Sequence, residues 1–166
     1  QAALTGHLVF STLHTNDAPS ALTRLIDMGV KPFLVASSVQ AVMAQRLIRV
    51  LCPECKEPDP DIDLSTMRGL GVTEDQLSQA TFCRPVGCEK CHNMGFRGRL
   101  GIFEIMPLNS QLREMAFQHR PLAEIRRGAR DLGMRTLLED GLIKVMRGQT
   151  TLDEVLARAQ REPTAA

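Results

Sequence analysis

The sequence predicts an α/β chain on three observations. Short apolar runs at residues 7–11, 45–51 and 100–108 suit strands, apolar residues recur with a helical period from Ala18 onward, and two C-x-x-C pairs stand between the second and third runs. The chain has 166 residues, 43% of them apolar and 23% charged, which is enough for one ordinary domain or two small ones sharing a core. Twenty basic residues nearly cancel 19 acidic ones, and the net charge of +1 offers no nucleic-acid surface and no charged tail. No apolar run reaches the length that a membrane-spanning helix needs. Trp and Tyr are absent and Phe occurs six times, so the core must be aliphatic and Met-rich. The opening residues carry no charged segment ahead of an apolar stretch, and the chain reads as one cut within something larger.

The elements follow in order. Residues 7–11 form an apolar run ending in small hydroxyl residues, which suits a buried parallel strand. After a polar loop at 12–16, Asp17 is an N-cap, Pro19 sits in the first turn, and Ala18, Ala21, Leu22, Leu25 and Ile26 share one helical face that stops at Gly29. A second helix is expected over residues 32–44 and a strand over 45–51, leading directly into the first C-x-x-C. Residues 57–66 are polar and interrupted by Pro, and a short helix follows at 73–80 with Thr73 and Gln76 as a capping pair. Residues 95–99 read as a flexible exit from the second C-x-x-C into the strand at 100–108. Four helices are expected beyond it. The first is capped at Asn109 or Ser110 and runs to His119, and the second lies between Pro121 and Gly133. The third covers 136–147, and the last opens on a Thr151-to-Glu154 capping box and runs to Gln160.

Five cysteines divide unevenly. Cys52 and Cys55 form one pair, Cys88 and Cys91 the other, and Cys83 stands alone. Each C-x-x-C presents two thiolates from one tight turn, so a single ion can tie two distant segments together; four thiolates leave no open position, which makes the site structural zinc. Two disulfides or four free thiols are the other readings of the same spacing. Cys83 and His92 break the paired spacing and read as bystanders.

A second cluster surrounds the first run. His7 and His14 bracket it, and Ser11, Thr12, Thr15 and Asn16 gather at its end, where open α/β sheets bind ligands. A capped turn explains the same residue types. Residues 5–18, Thr-Gly-His-Leu-Val-Phe-Ser-Thr-Leu-His-Thr-Asn-Asp-Ala, resemble the His box of the secretion and pilus-assembly ATPases. Matches to that family continue in order through Thr23-Arg24-Leu25, Met28-Gly29-Val30, Ala44-Gln45-Arg46-Leu47, Cys52-Pro53-Glu54-Cys55, Gly95-Phe96-Arg97-Gly98-Arg99 and Gly101-Ile102-Phe103-Glu104, spanning about residues 1–158. The type II secretion ATPases are the nearest group, and those that extend type IV pili are nearly as close.

The resemblance implies the C-terminal part of a RecA-like ATPase domain with an inserted tetracysteine zinc element. Residues 1–51 would belong to the nucleotide-binding domain, 52–99 to the zinc element and 100–108 to a strand returning to the core. Residues 109–161 would form a small α-helical subdomain and 162–166 a flexible tail. It further implies that His14 approaches the terminal phosphate of ATP, supported by His7 and Thr12, and that Cys52, Cys55, Cys88 and Cys91 hold Zn²⁺. The intact enzyme would use ATP and Mg²⁺ as a homo-hexamer on inner-membrane platform proteins, peripheral to the cytoplasmic face of the bacterial inner membrane. It would have no transmembrane segment and no nucleic-acid partner. Pilus-retraction ATPases lack the tetracysteine element, which favours secretion or extension. No role is implied for Gln45, Arg46 or Glu104. The phosphate-cradling G-x-x-x-x-G-K-[ST] occurs nowhere in these residues, so the chain alone is expected to be inactive. Two readings without the resemblance are a stand-alone zinc-ribbon interaction module and a metalloenzyme using His7, His14 and His92 with cysteines, whose spacings fit no open three-ligand site.

Overall fold

The computed structural model describes residues 2–159. Eight α-helices are present among them: α1 (Ala18–Asp27), α2 (Pro32–Ser38), α3 (Leu64–Gly69), α4 (Glu74–Ser78), α5 (Ser110–Phe117), α6 (Leu122–Asp131), α7 (Leu137–Met146) and α8 (Leu152–Arg158). Two long strands, β1 (Ala41–Leu51) and β4 (Phe96–Pro107), pair with each other, and two short ones, β2 (Glu57–Pro58) and β3 (Cys83–Arg84), form an antiparallel pair. The Leu108 N–H donates to the Gln40 carbonyl at one end of the long ribbon, and the Cys52 N–H to the Gly95 carbonyl at the other, so β1 and β4 run antiparallel. The described residues divide into two compact units, one of residues 2–44 and 103–136, the other of 45–102 and 137–159. Helices α5 and α6 thereby fall in the first unit, α7 and α8 in the second.

The first unit is built on α1, α2, α5 and α6. Its core gathers Leu22 of α1, Val35 of α2, Met106 and Leu108 at the end of β4, Leu112 and Ala116 of α5, and Ile125 and Ala129 of α6. Helix α1 starts as its sequence dictates: Asp17 accepts from the Ser20 N–H at 2.8 Å, and Pro19 occupies the first turn. Arg113 of α5 ties the α2 exit down, donating to the carbonyls of Leu108 and Ala36 at 3.1 and 2.6 Å and to Gln40 at 2.8 Å.

In the second unit, the end of β1 at Arg49 and Leu51 is held by the segment that enters α8 and by the helix's first turn. The Leu51 N–H donates to the Gln149 carbonyl, the Thr150 hydroxyl to the Arg49 carbonyl at 2.8 Å, and the Arg49 N–H to the Glu154 carboxylate at 3.1 Å. Gly141 of α7 lies against Val155 of α8; a Cβ there would come within 2.4 Å of a Val155 methyl, so only glycine lets the two helices meet this closely.

Several sequence expectations need correction. Residues 7–15 form no strand, and Leu8 and Phe10 stand 80% and 88% exposed. A strand needs a neighbour to take its N–H and C=O groups, and no described strand pairs with this run. The second helix stops at Ser38 instead of continuing to residue 44, and β1 begins four residues before the strand expected at 45. Val42, Ala44, Arg46 and Ile48 alternate inward against Ala41, Met43, Gln45 and Leu47 outward, a period of two that the β-branched and apolar residues here also satisfy. Residues 96–99 belong to β4 rather than to a flexible exit. Helix α3, capped by Asp63, starts within the polar, Pro-interrupted stretch of residues 57–66. At α8 only half of the capping box forms: Thr151 accepts from the Glu154 N–H, but the Glu154 carboxylate turns to Arg49. The expected helix end at Gln160 and the tail at 162–166 lie outside the described residues. The Thr73 box is complete, with Gln76 returning to the Thr73 N–H at 2.9 Å.

Candidate functional site

The four paired cysteines meet. Their sulfurs all lie within 4.8 Å of one another, with Cys52 to Cys88 and Cys55 to Cys91 both at 3.9 Å and Cys88 to Cys91 at 3.8 Å. A tetrahedral zinc with Zn–S bonds of about 2.3 Å places its sulfurs ~3.8 Å apart, so these separations suit one ion of that size. They are far too long for sulfur–sulfur bonds, and all five cysteines are free.

Local turns build each half. At the first pair the Cys55 and Lys56 N–H groups both return to the Cys52 carbonyl, at 3.3 and 3.0 Å. At the second, a 3₁₀ turn at Glu89–Cys91 is followed by His92 and Asn93 in the left-handed region, and the Asn93 N–H closes on the Cys88 carbonyl at 2.9 Å. Backbone amides then point at sulfur: Gly87 to Cys55 at 3.3 Å, and Cys88 and Gly95 to Cys91, each at 3.2 Å. Gly95 has φ +72°, and a Cβ there would lie 2.4 Å from that of Pro85, so no other residue fits without moving the turn.

The thiols differ in consequence. Burial and the neighbouring sulfurs of Cys52, Cys88 and Cys91 together raise Cys55 to about 11, against the Gly87 amide, which lowers it. Burial also works against a thiolate at Cys91, yet the amides of Cys88 and Gly95 bring it down to about 6. As four thiolates these sulfurs would need a cation among them, so the donor set suits a metal ion. Cys83 sits half-buried in β3, outside the four-sulfur cluster, and His92 is an exposed turn residue. Of the cations near in sequence, Lys56 donates to the Gly148 carbonyl at 2.8 Å, and Lys90 approaches Glu54 at 4.0 Å.

The His-bearing segment is arranged differently. His7, Thr12 and His14 are all exposed, on backbone without regular structure. The Thr5 hydroxyl meets His7 Nδ1 at 3.0 Å. Regular structure resumes at Ala18, with Asp17 as the N-cap. Asp17 caps α1 and is ion-paired with Arg126 of α6; although burial opposes it, hydrogen bonds from Ser20 and Arg126 hold the Asp17 carboxyl below its ordinary range. Glu104, to which the sequence assigns no role, is buried in β4 and accepts from the Ala18 N–H at 2.7 Å. The signal for it was present: Ile102, Glu104 and Met106 share the inward face of β4, and a carboxylate on an apolar face needs a reason.

The model of the type II/IV secretion system protein family matches residues 1–157. The type IV pilus assembly ATPase PilB of Myxococcus xanthus is 47% identical over 156 residues, covering 94% of this chain and 28% of the relative. The type II secretion system protein E of Pseudomonas aeruginosa is 48% identical over 162 residues, covering 98% of this chain and 31% of the relative. PilB of Thermus thermophilus is 45% identical over 161 residues, 95% of this chain and 18% of that protein. The chain therefore spans less than a third of the length of these curated relatives. With nearly its whole length matched and almost half its residues identical to proteins of both systems, the chain belongs to the type II/IV secretion system protein family.

Proposed function

We propose that the protein is an ATPase that couples hydrolysis to the assembly of pilin-like subunits in type II protein secretion. In this reading the chain supplies the C-terminal part of a RecA-like nucleotide-binding domain and its tetracysteine zinc element. The observation that carries the reading is the match over residues 1–157 together with near-half identity to relatives named for that system. A second reading, type IV pilus extension, is favoured by the equally similar PilB of Myxococcus xanthus. Both require the same chemistry of this chain.

Cys52, Cys55, Cys88 and Cys91 would hold zinc as a closed structural site, fastening the start of β4 to the end of β1. A bound zinc supplies the positive charge that lets four thiolates sit together. His14 would reach the terminal phosphate of ATP and report its presence, with His7 and Thr12 in support. Imidazole and hydroxyl groups suit that task because they donate to phosphate oxygens, and their exposure leaves them free to meet other parts of the enzyme. No phosphate-cradling loop motif occurs in these 166 residues, so ground-state binding of ATP and Mg²⁺ would rest on residues elsewhere in the protein. The working form would be a homo-hexamer on membrane platform proteins, peripheral to the cytoplasmic face of the inner membrane. No helix among the described residues is long and apolar enough to cross a bilayer.

The test is His14→Ala in the intact protein, measuring steady-state hydrolysis and ATP affinity separately. Turnover should fall by about tenfold or more while affinity changes by less than about threefold, because most of the ground-state phosphate contacts would be made by residues elsewhere in the protein. Equal loss of both would overturn the sensing role. Pure enzyme without any ATPase activity would overturn the whole reading.

A further inference from the structure

We infer that Glu104 is a positioning residue for the His14 segment, acting through the first turn of α1; the inference rests on the proposed role of His14. Glu104 is 3% exposed, flanked on its face of β4 by Ile102 and Met106, which are 0% and 1% exposed. A carboxylate in such surroundings stays charged only when donors are aimed at it. Its Oε1 takes the Ala18 N–H at 2.7 Å, a bond between residues 86 positions apart in the chain. That N–H is one of the donors a helix cannot satisfy internally, and it lies at the positive end of the helix dipole, where a carboxylate is favoured. Ala18 itself is fully buried, so water does not compete for the bond.

The start of α1 is consequently held from two sides by distant parts of the chain. Glu104 of β4 takes the first amide, and Arg126 of α6 grips Asp17, whose carboxylate also caps Ser20. His14 is three residues before Asp17, at the fixed end of a segment whose residues 7–15 carry no regular structure. Where the imidazole can reach is set by that anchor. Hydrogen bonds between Asp17 and Ser20 alone would form an ordinary cap; a buried carboxylate from another element adds a fixed position and direction, which is what a residue that must meet a phosphate requires.

Glu104→Gln keeps the shape of the side chain and removes its charge. In the intact protein it should slow turnover by about tenfold with less than about threefold change in KM for ATP. Adding His14→Ala to Glu104→Gln should lower turnover by less than about twofold further, because the two act as one unit. Amide hydrogen exchange provides a readout independent of activity: residues 14–20 should exchange about tenfold faster in Glu104→Gln, with α7 and α8 unchanged. Unaltered exchange at 14–20, or full multiplication of the two turnover losses, would overturn the inference. A His14→Ala enzyme with unimpaired turnover defeats the proposed role of His14 alone, and the exchange result then decides the Glu104 anchor by itself.

Discussion

The cysteine cluster and the His-bearing segment are both rich in ligand-type residues, yet one is gathered by local turns and the other lies on backbone without regular structure. Each cysteine pair is shaped by a turn of a few residues, and the backbone amides aimed at sulfur come from Gly87, Cys88 and Gly95, within the same short stretch. The long ribbon then brings the pairs together, since the Cys52 N–H and the Gly95 carbonyl bond at its end. Residues 7–15 belong to no described sheet: Leu8 and Phe10 are exposed, and the run leads into the Asp17 cap. A site closes by itself when its geometry is set by local turns. A run with no described sheet beside it has no ladder to set its geometry.

The largest effect is expected from removing the proposed metal ligands. Purified protein should contain about one zinc per chain, and Cys52→Ser or Cys88→Ser should reduce that nearly to zero by elemental analysis. The free energy of structural zinc in small zinc-dependent units is on the order of 10 kcal/mol, and the hydrophobic contacts around Ile48, Leu51 and Ile102 leave the expected destabilisation here at several kcal/mol. Wild-type protein with less than a third of the metal, after native purification, would remove the zinc assignment.

An intermediate effect is expected at Glu154. It is 4% exposed in its side chain and binds the Arg49 guanidinium at 2.8 Å as well as the Arg49 N–H, while that guanidinium also lies 4.2 Å over the Phe96 ring. Glu154→Ala removes both the acceptor of the Arg49 N–H and the partner of its guanidinium, and should cost about 1–3 kcal/mol in denaturant unfolding. Burial works against the Glu154 carboxylate, but Arg49 holds it below its ordinary value of 4.5, and Asp17 is likewise held below 3.8. Folded values below the unfolded ones mean that the stabilisation is complete above those ordinary values. It is lost as pH falls through the lower, folded ones. Wild-type stability should therefore decline below about pH 4.5. Glu154→Ala, already lacking this contribution, should show a shallower acid limb; an identical limb would show that the pair contributes nothing to it.

The smallest stability effect sharpens the contrast from the other side. His14 is exposed and is held in no regular element, so His14→Ala should change unfolding free energy by less than about 0.5 kcal/mol. A loss above 1 kcal/mol would mean that the imidazole is part of the fold, and its proposed role at the phosphate would lose its separate character.

Much of this was legible in the sequence, for reasons specific to each residue. The cap at Asp17, the complete box at Thr73, the cap at Asn109 and the pairing of the cysteines involve partners two to four positions apart, where the chain itself dictates distance. Misread boundaries came from residues that suit two periods. Val39, Val42 and Met43 fit a helical face as well as an alternating strand, and only pairing with β4 selects the strand. Glu154 looked like half of a capping box, because nothing nearby announces that Arg49, 105 residues earlier, will claim its carboxylate.

The amino-acid sequence by itself determined the family, the two cysteine turns and the starts of most helices, since these depend on residue identity at short, fixed separations. Tertiary structure alone decided that the four sulfurs share one centre and that Glu104 and Arg126 hold the start of α1. It also decided that residues 7–15 stay outside any described sheet. The physical reason is that short-range hydrogen bonds are prescribed by chain geometry, whereas a buried carboxylate or an apolar run takes its partner from whichever distant element packing brings within reach.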